Sequence, residues 1–392
     1  MDLIKKETES WQSGIAKSIT FIVTKDCQLA CKYCYLVGKN EKERMSWDVA
    51  KKAIDYILSH ESDFQEESVV WDFIGGEPFL EIDLIDHICD YIKKELFCRN
   101  HHWFNSYRFS FSTNGINYDN EKVQRFIEKN KNHLSIGITI DGTKAKHDLN
   151  RIWKGLGKER GSYDDVVRNI PLWLQQFPYG GTKVTISSAD IPYIKESVIH
   201  LYSLGIHEVN INCVFENVWC EGDESLFEDQ LMLLADEIIE NGYYKEYTCS
   251  FFSEHIGKPM NQQLENENWC GAGRMLSIDA AGRFYPCTRF AQYSLRSKKA
   301  WTIGNVNDGI DKNRLRPFLT LDRSTQSNQD CMNCEVASGC AWCQGENYDA
   351  AETPTAYQRA TAICKMHKAR VRANNYYWNK LYRKLELEGT RE

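Results

Sequence analysis

Cysteine is the residue type whose spacing carries chemistry in this chain. Three of its 15 cysteines share one short run, Cys27-Gln28-Leu29-Ala30-Cys31-Lys32-Tyr33-Cys34, a C-x3-C-x2-C pattern. A second set begins with Cys270 and Cys287, continues with Cys331, Cys334, Cys340 and Cys343, and closes at Cys364. Buried thiols scattered through a core would show no such spacing. Three thiolates on one loop can hold three irons of a four-iron cluster. Such a cluster ordinarily takes four cysteines, so one iron stays open, as a catalytic metal site requires. The same loop also suits a zinc site with a remote fourth ligand, because C-x2-C pairs are common in zinc knuckles. Cys89, Cys98, Cys213, Cys220 and Cys249 show no short spacing. Cys89 and Cys98 read as core or surface thiols of a helix, and Cys213 as a strand core residue.

Composition narrows the setting for that chemistry. The length of 392 residues favours two or three domains. A formal charge of −7 argues against a nucleic-acid binder that relies on broad positive potential. No apolar run is long enough for a membrane span, and the start, Met1-Asp2-Leu3-Ile4-Lys5-Lys6-Glu7, lacks an apolar signal core. The expected location is cytoplasmic, where disulfides are rare and clustered cysteines read as metal ligands.

The elements that must position these cysteines alternate. Strand-like runs fall at Ser18–Thr24, Ser68–Ile74, Tyr107–Thr113, Ser135–Ile140, Lys183–Ser187 and Glu208–Val214. Helical periods fall at Trp47–Leu58, Ile82–Phe97, Asn120–Asn130, Tyr163–Gln176, Ile191–Leu204 and Phe227–Asn241. Repeated β-α units predict an α/β fold with a parallel sheet. Six strands are too few for a closed eight-stranded barrel, so the expectation is an open, partial (β/α)6 TIM-like barrel. Its chemistry should lie at the carboxyl ends of the strands. The expected division is an N-terminal segment over 1–17, the barrel over 18–215, a bridging region over 216–265, a cysteine-rich domain over 266–370 and a C-terminal helix over 371–392. The cysteine-rich domain is thin in aliphatics, and such small domains are often held by metal.

At this point the chain resembles the radical S-adenosylmethionine (radical SAM) superfamily. The C-x3-C-x2-C loop follows the first strand, and Tyr33 is the aromatic before the last cysteine. Gly75-Gly76-Glu77-Pro78 follows the second strand and is similar to the GGEP motif that holds the methionyl amine of SAM. Ser112-Thr113-Asn114-Gly115 ends the third strand, where similar enzymes meet the SAM ribose and carboxylate. Asp141-Gly142 ends the fourth and leads to His147 and Arg151. The resemblance puts Arg151 near the SAM carboxylate, while His147 reads as a structural hydrogen-bonder. Ser187, at the end of the fifth strand, completes the implied cofactor-binding set. The implied chemistry is SAM on the open iron of a cluster held by Cys27, Cys31 and Cys34, and a 5′-deoxyadenosyl radical that abstracts hydrogen from carbon.

The second set resembles the SPASM extension of radical SAM peptide maturases, including the glycine at Gly282. It departs in one place: Cys340-x2-Cys343 is one residue shorter than the usual spacing. The resemblance implies auxiliary cluster II on Cys331, Cys334, Cys340 and Cys364, and auxiliary cluster I on Cys270, Cys287 and Cys343. The cofactor set is then three [4Fe–4S] clusters and SAM. Two full cubanes need eight cysteines and seven are supplied, so Cys249 or Cys220 completes the set, or the open iron takes a substrate thiolate.

Relatives with this layout include sulfatase maturases, sugar-alcohol dehydrogenases and maturases of ribosomal peptides. In sulfatase maturases an Asp follows the cysteine that matches Cys287, and serves as base. Here that residue is Thr288, a poor base, although Asp279 could substitute. The first expectation is therefore thioether formation on a ribosomally made peptide (sactipeptide or ranthipeptide type, including the CXXX-repeat, freyrasin-type group). Carbon–carbon crosslinking, formylglycine formation and a non-catalytic iron–sulfur or zinc protein are the alternatives. The implied partners are a Cys-containing precursor peptide and an electron donor such as flavodoxin or ferredoxin. The 26 residues before Cys27 are too few for a leader-binding domain, so the expectation is a leader held by a separate leader-recognition protein, by a groove of this chain, or not at all. Arg274, Asp279, Tyr285 and Arg289 neighbour the auxiliary cluster I cysteines in sequence. Aromatics such as Phe215, Trp219, Phe251 and Phe252 suggest either a peptide groove or a satellite core.

Overall fold

Aromatic and β-branched residues at alternate positions build the first sheet. The strands are β1 (Ala16–Thr24), β2 (Ser68–Gly75), β3 (Tyr107–Thr113) and β4 (Leu134–Ile138). In β3, Tyr107, Phe109, Phe111 and Thr113 are buried and the residues between them are only half-buried, the period-2 signature of a strand. Phe21, Trp71, Phe73 and Phe111 stack across β1–β3, with centroids 5.1–6.1 Å apart. The β1–β2 and β2–β3 pairs are parallel. Helices α1 (Trp47–Ser59), α2 (Ile82–Cys98) and α3 (Glu121–Asn130) follow the first three strands. Along α2, Ile85, Ile88, Cys89, Ile92 and Leu96 form the buried stripe, so Cys89 is a core thiol.

The computed structural model describes residues 16–37, 42–155, 160–254, 256, 270–336, 340 and 342–389. Most of the expected N-terminal segment 1–17, and residues 255 and 257–265 of the expected bridging region, lie outside the described residues. The chain forms two compact units. One comprises Met1–Gln28, Cys34–Ile136 and Gly271–Thr320; the other comprises Leu29–Tyr33, Gly137–Cys270 and Leu321–Glu392.

In the first unit the segment after Cys270 does not stand apart. Short strands extend the sheet beyond β1: the pieces Leu276–Ile278 and Arg283–Tyr285 join it, the former parallel to β1 with Ile19 opposite Leu276. Two further pieces, Gly304–Asn305 and Gly309–Ile310, complete its edge. The thin aliphatic content of this segment is offset by the core beneath β1. Gly282 (φ +76°) turns between the first two pieces, where its N–H donates to the Asp279 carbonyl at 2.9 Å. A left-handed residue there favours glycine.

In the second unit β5 (Gly181–Ile186), β6 (Glu208–Cys213) and β7 (Thr248–Cys249) form a parallel three-stranded sheet. At the end of β4 the Thr182 hydroxyl donates to the Ile138 carbonyl at 2.7 Å and accepts from the Ile140 N–H at 3.1 Å. A side chain thus stands in for ladder bonds at that point. The helix expected over Tyr163–Gln176 is two pieces, Tyr163–Val167 and Ile170–Gln176. Pro171, in the first turn of the second piece, has no N–H to continue the helix from the first. The basic C-terminal stretch is the helix Cys364–Gly389, which packs on the acidic helix Asp223–Glu240. Lys380 pairs with Asp236 at 2.7 Å and Arg372 with Glu228 at 2.5 Å. Among the described residues, no helix is long and apolar enough to cross a membrane.

Candidate active site at the cysteine loops

In the first unit the chain leaving β1 is pinned by the segment leaving β2. The Gly76 N–H donates to the Thr24 carbonyl and the Glu77 N–H to the Asp26 carbonyl, both at 2.9 Å. A Cβ on Gly75 would lie 2.2 Å from the Thr24 oxygen, and one on Gly76 2.1 Å from the Asp26 oxygen. Only glycine lets the two backbones approach this closely. Glu77 is 1% exposed. Its carboxylate accepts from the Thr113 hydroxyl (2.7 Å), the Asn114 N–H (2.8 Å) and the Phe79 N–H (3.1 Å). It therefore fastens the ends of β2 and β3 together, with Pro78 opening the short turn that follows. The Asn114 amide donates to Gln28 Oε1 at 3.0 Å and to the Cys27 sulfur at 3.9 Å. Ser112 is half-buried, on the side of β3 opposite Phe111 and Thr113.

Cys34 is followed by Tyr35, a residue the sequence reading passed over. Burial raises the Tyr35 hydroxyl pKa, and the Cys34 and Cys287 thiols add to the rise. The Arg289 guanidinium lies 5.0 Å from the ring centroid. A cysteine of the front loop and one of the second set thus flank a single tyrosine.

In the second unit, the Ala30 N–H donates to the Ile152 carbonyl (2.8 Å) and the Lys32 N–H to the Asn150 carbonyl (3.1 Å). The Tyr33 hydroxyl donates to Asp141 Oδ2 at 2.5 Å, and Arg151 Nη1 donates to the Tyr33 oxygen at 2.9 Å. Burial pushes the Asp141 carboxyl up, but Lys146 and Arg151 outweigh it and hold the group below its ordinary value. His147 accepts from the Asp141 N–H through Nδ1 and pairs with the Ser162 hydroxyl through Nε2. Burial, with Arg151 nearby, pulls its pKa down to about 3, so it is a neutral structural hydrogen-bonder. Ser187 gives its hydroxyl to Asp190 at 2.6 Å, and Asp190 pairs with the fully buried Lys146.

The later cysteines are held mainly by side chains. Asn328 caps the short helix Gln329–Met332 by accepting the Cys331 N–H at 2.8 Å. Arg359 donates to the Cys340 sulfur at 3.3 Å and to the Ser327 hydroxyl at 3.1 Å, with its guanidinium 4.1 Å from the Trp342 ring centroid. Burial raises the Cys340 thiol to about 11; Arg359 opposes this, while Cys364, Cys334 and Cys331 add to it. These four thiols are therefore neighbours. Cys343 precedes the helix Gln344–Ala350, and Cys270 is half-buried at the end of the second unit. Cys249 is buried at the end of β7, where burial raises it to about 11 and Arg370 opposes the rise. Cys220 is exposed.

The donors present fit an iron–sulfur cluster and SAM. Two buried nitrogens beside the front cysteines have no protein partner, Gln28 Nε2 in the first unit and Arg151 Nε in the second. Among the described residues, no three Cys, His or carboxylate side chains converge as ligands of one ion do. A cubane instead takes each cysteine on its own iron.

A fold of this kind with this loop defines a radical SAM enzyme. The radical SAM superfamily pattern matches residues 21–188, and the chain belongs to that superfamily, whose cofactors are a [4Fe–4S] cluster and SAM. An uncharacterised protein of Methanocaldococcus jannaschii is 31% identical over 300 residues, 76% of this chain and 91% of that protein. The serine-type anaerobic sulfatase-maturating enzyme of Bacteroides thetaiotaomicron is 23% identical over 344 residues, 80% of this chain and 78% of the enzyme. The solved structure of native anSMEcpe with bound AdoMet and Kp18Cys peptide shares the fold, with a TM-score of 0.69 at 19% identity. It covers 94% of this chain and 98% of that one.

Proposed function

We propose that this enzyme modifies a Cys-containing peptide, joining the cysteine sulfur to a residue carbon as a thioether. Action on a peptide has the support of relatives named as sulfatase-maturating enzymes and of a fold neighbour solved with a peptide. The observation that carries the thioether reading is the state of Asp279. Thr288 follows Cys287 and is a poor base. Asp279 is the substitute, yet its carboxylate accepts from the Tyr285 hydroxyl (2.9 Å), Arg283 Nε (2.8 Å) and the N–H groups of Ala281 and Arg283 (3.0 Å each). A carboxylate so occupied is poorly placed to remove a substrate proton.

When bound, the cluster and SAM supply a radical able to remove hydrogen from an unactivated carbon. Cys27, Cys31 and Cys34 would hold the cluster. The backbone of Gly75, Gly76, Glu77 and Pro78 would meet the methionyl amine, and Arg151 would meet the carboxylate through its unpartnered Nε. Ser112, Asn114 and Ser187 would contribute polar contacts. Asp141 would orient Tyr33 and, through it, Arg151. Cys331, Cys334, Cys340 and Cys364 would take auxiliary cluster II; Cys270, Cys287 and Cys343 would take cluster I, with Cys249, Cys220 or the substrate thiolate as its fourth ligand. Reduced flavodoxin or ferredoxin would deliver the electron.

The second reading is formylglycine formation, favoured by the sulfatase-maturating relatives. Anaerobic co-expression with a Cys-containing precursor separates the two. The thioether reading predicts loss of two hydrogens per link and a sulfur that resists alkylation. An aldehyde on a sulfatase-type peptide, with no link formed, would replace it.

A further inference from the structure

The second unit holds a cavity at the carboxyl end of β6 that the proposed chemistry does not use. Its walls include Phe215, Phe227, Phe251 and Met366, and Arg370 and His367 supply its polar end.

Arg370 has no acidic partner among the described residues. Its Nη2 donates to the Ser250 carbonyl and its Nε, at 3.5 Å, to the Phe251 carbonyl, and among the described residues Nη1 has no acceptor. The thiols of Cys213 and Cys249 and the His367 ring share its surroundings. A sheltered guanidinium without a counter-anion is costly. His367, one helical turn earlier on the same face, is 8% exposed, and its Nε2 has no partner. Its ring also bonds the Val336 backbone. With Nδ1 as the donor to that carbonyl, the neutral ring presents Nε2 as an acceptor.

We propose that this cavity binds the C-terminal residue of a peptide: its α-carboxylate on Arg370 Nη1, its amide N–H on His367 Nε2, and an apolar side chain against the phenylalanines. A carboxylate with an N–H on the neighbouring carbon matches a cation and an acceptor one turn apart. The proposal rests on the peptide-modifying reading for the natural ligand. Binding is measured without turnover, so each can fail separately.

The test is calorimetric titration of the full chain, clusters loaded, with N-acetyl-L-phenylalanine. One saturable site is expected. N-acetyl-L-phenylalaninamide, which lacks the carboxylate, should bind at least tenfold more weakly, as should the α-amide of N-acetyl-L-aspartate, whose carboxylate is on the side chain. Arg370→Gln should erase the difference between acid and amide. Should that variant fail to fold, Arg370→Lys, which keeps the charge but not the fork, should weaken the acid severalfold and leave the amide unchanged. Equal binding of acid and amide, an unchanged preference in the folded Gln variant or in its Lys replacement, or no saturable binding would overturn the site. Equal binding of the aspartate derivative would overturn the terminal assignment.

Discussion

The front cysteine loop and the Cys331–Cys364 region are held by different means. Backbone bonds pin the front loop, from Gly76 and Glu77 to its start within the first unit and from Ala30 and Lys32 to the Ile152 and Asn150 carbonyls within the second. The later cysteines depend on side chains: an Asn328 cap, Arg359 on Cys340, and the buried Gln326, which donates to the Ala356 carbonyl at 2.7 Å. The difference teaches that the front loop's shape is set before any metal arrives, whereas the rear loops should take much of their order from the cluster they hold.

Gly76→Ala would break that comparison most severely, because its Cβ has no space beside the Asp26 oxygen. The loop would have to move, and a displacement of that order can cost about a hundredfold in rate. Iron should fall by one cluster while the rear clusters persist, as read by iron analysis and electron paramagnetic resonance. Glu77→Ala comes next. It strips acceptors from Thr113 and Asn114 and should destabilise the apo protein by about 3 kcal/mol in denaturant titration.

Acidification sharpens the comparison further. His147 is held neutral, with its pKa depressed from 6.5 to about 3. Its contribution is present above pH 6.5 and is lost as pH falls toward 3. His147→Gln should flatten the melting profile over that window. Arg359→Gln should leave the front cluster's spectrum unchanged and lower the potential of one rear cluster, since hydrogen bonds to sulfur tune it. Arg372→Ala, which removes an exposed ion pair, should cost under about 1 kcal/mol by the same denaturant titration.

The sequence exposed the parts that depend on local backbone demands. The cysteine spacing, the Gly75-Gly76 approach and the six strand positions were all legible, because glycine, proline and period-2 alternation act on near neighbours. Long-range partners were not. Nothing local marks Arg359 as the donor to Cys340, or Tyr35 as the neighbour of Cys287. The three-residue strand at Leu276–Ile278 is too short to reveal that β1 is its partner. The protein partners of two residues singled out for the cofactor were likewise not legible: Gln28 and Cys27 for the Asn114 amide, and Asp190 for the Ser187 hydroxyl.

The most direct measurement is 5′-deoxyadenosine release by the anaerobically reconstituted protein given SAM and a strong reductant. Release by the native chain is predicted, with none from the variant in which Cys27, Cys31 and Cys34 are all alanine while its rear clusters keep their iron. Undiminished release by that variant, or a fully loaded native protein that leaves SAM intact, would contradict the assignment of the front loop.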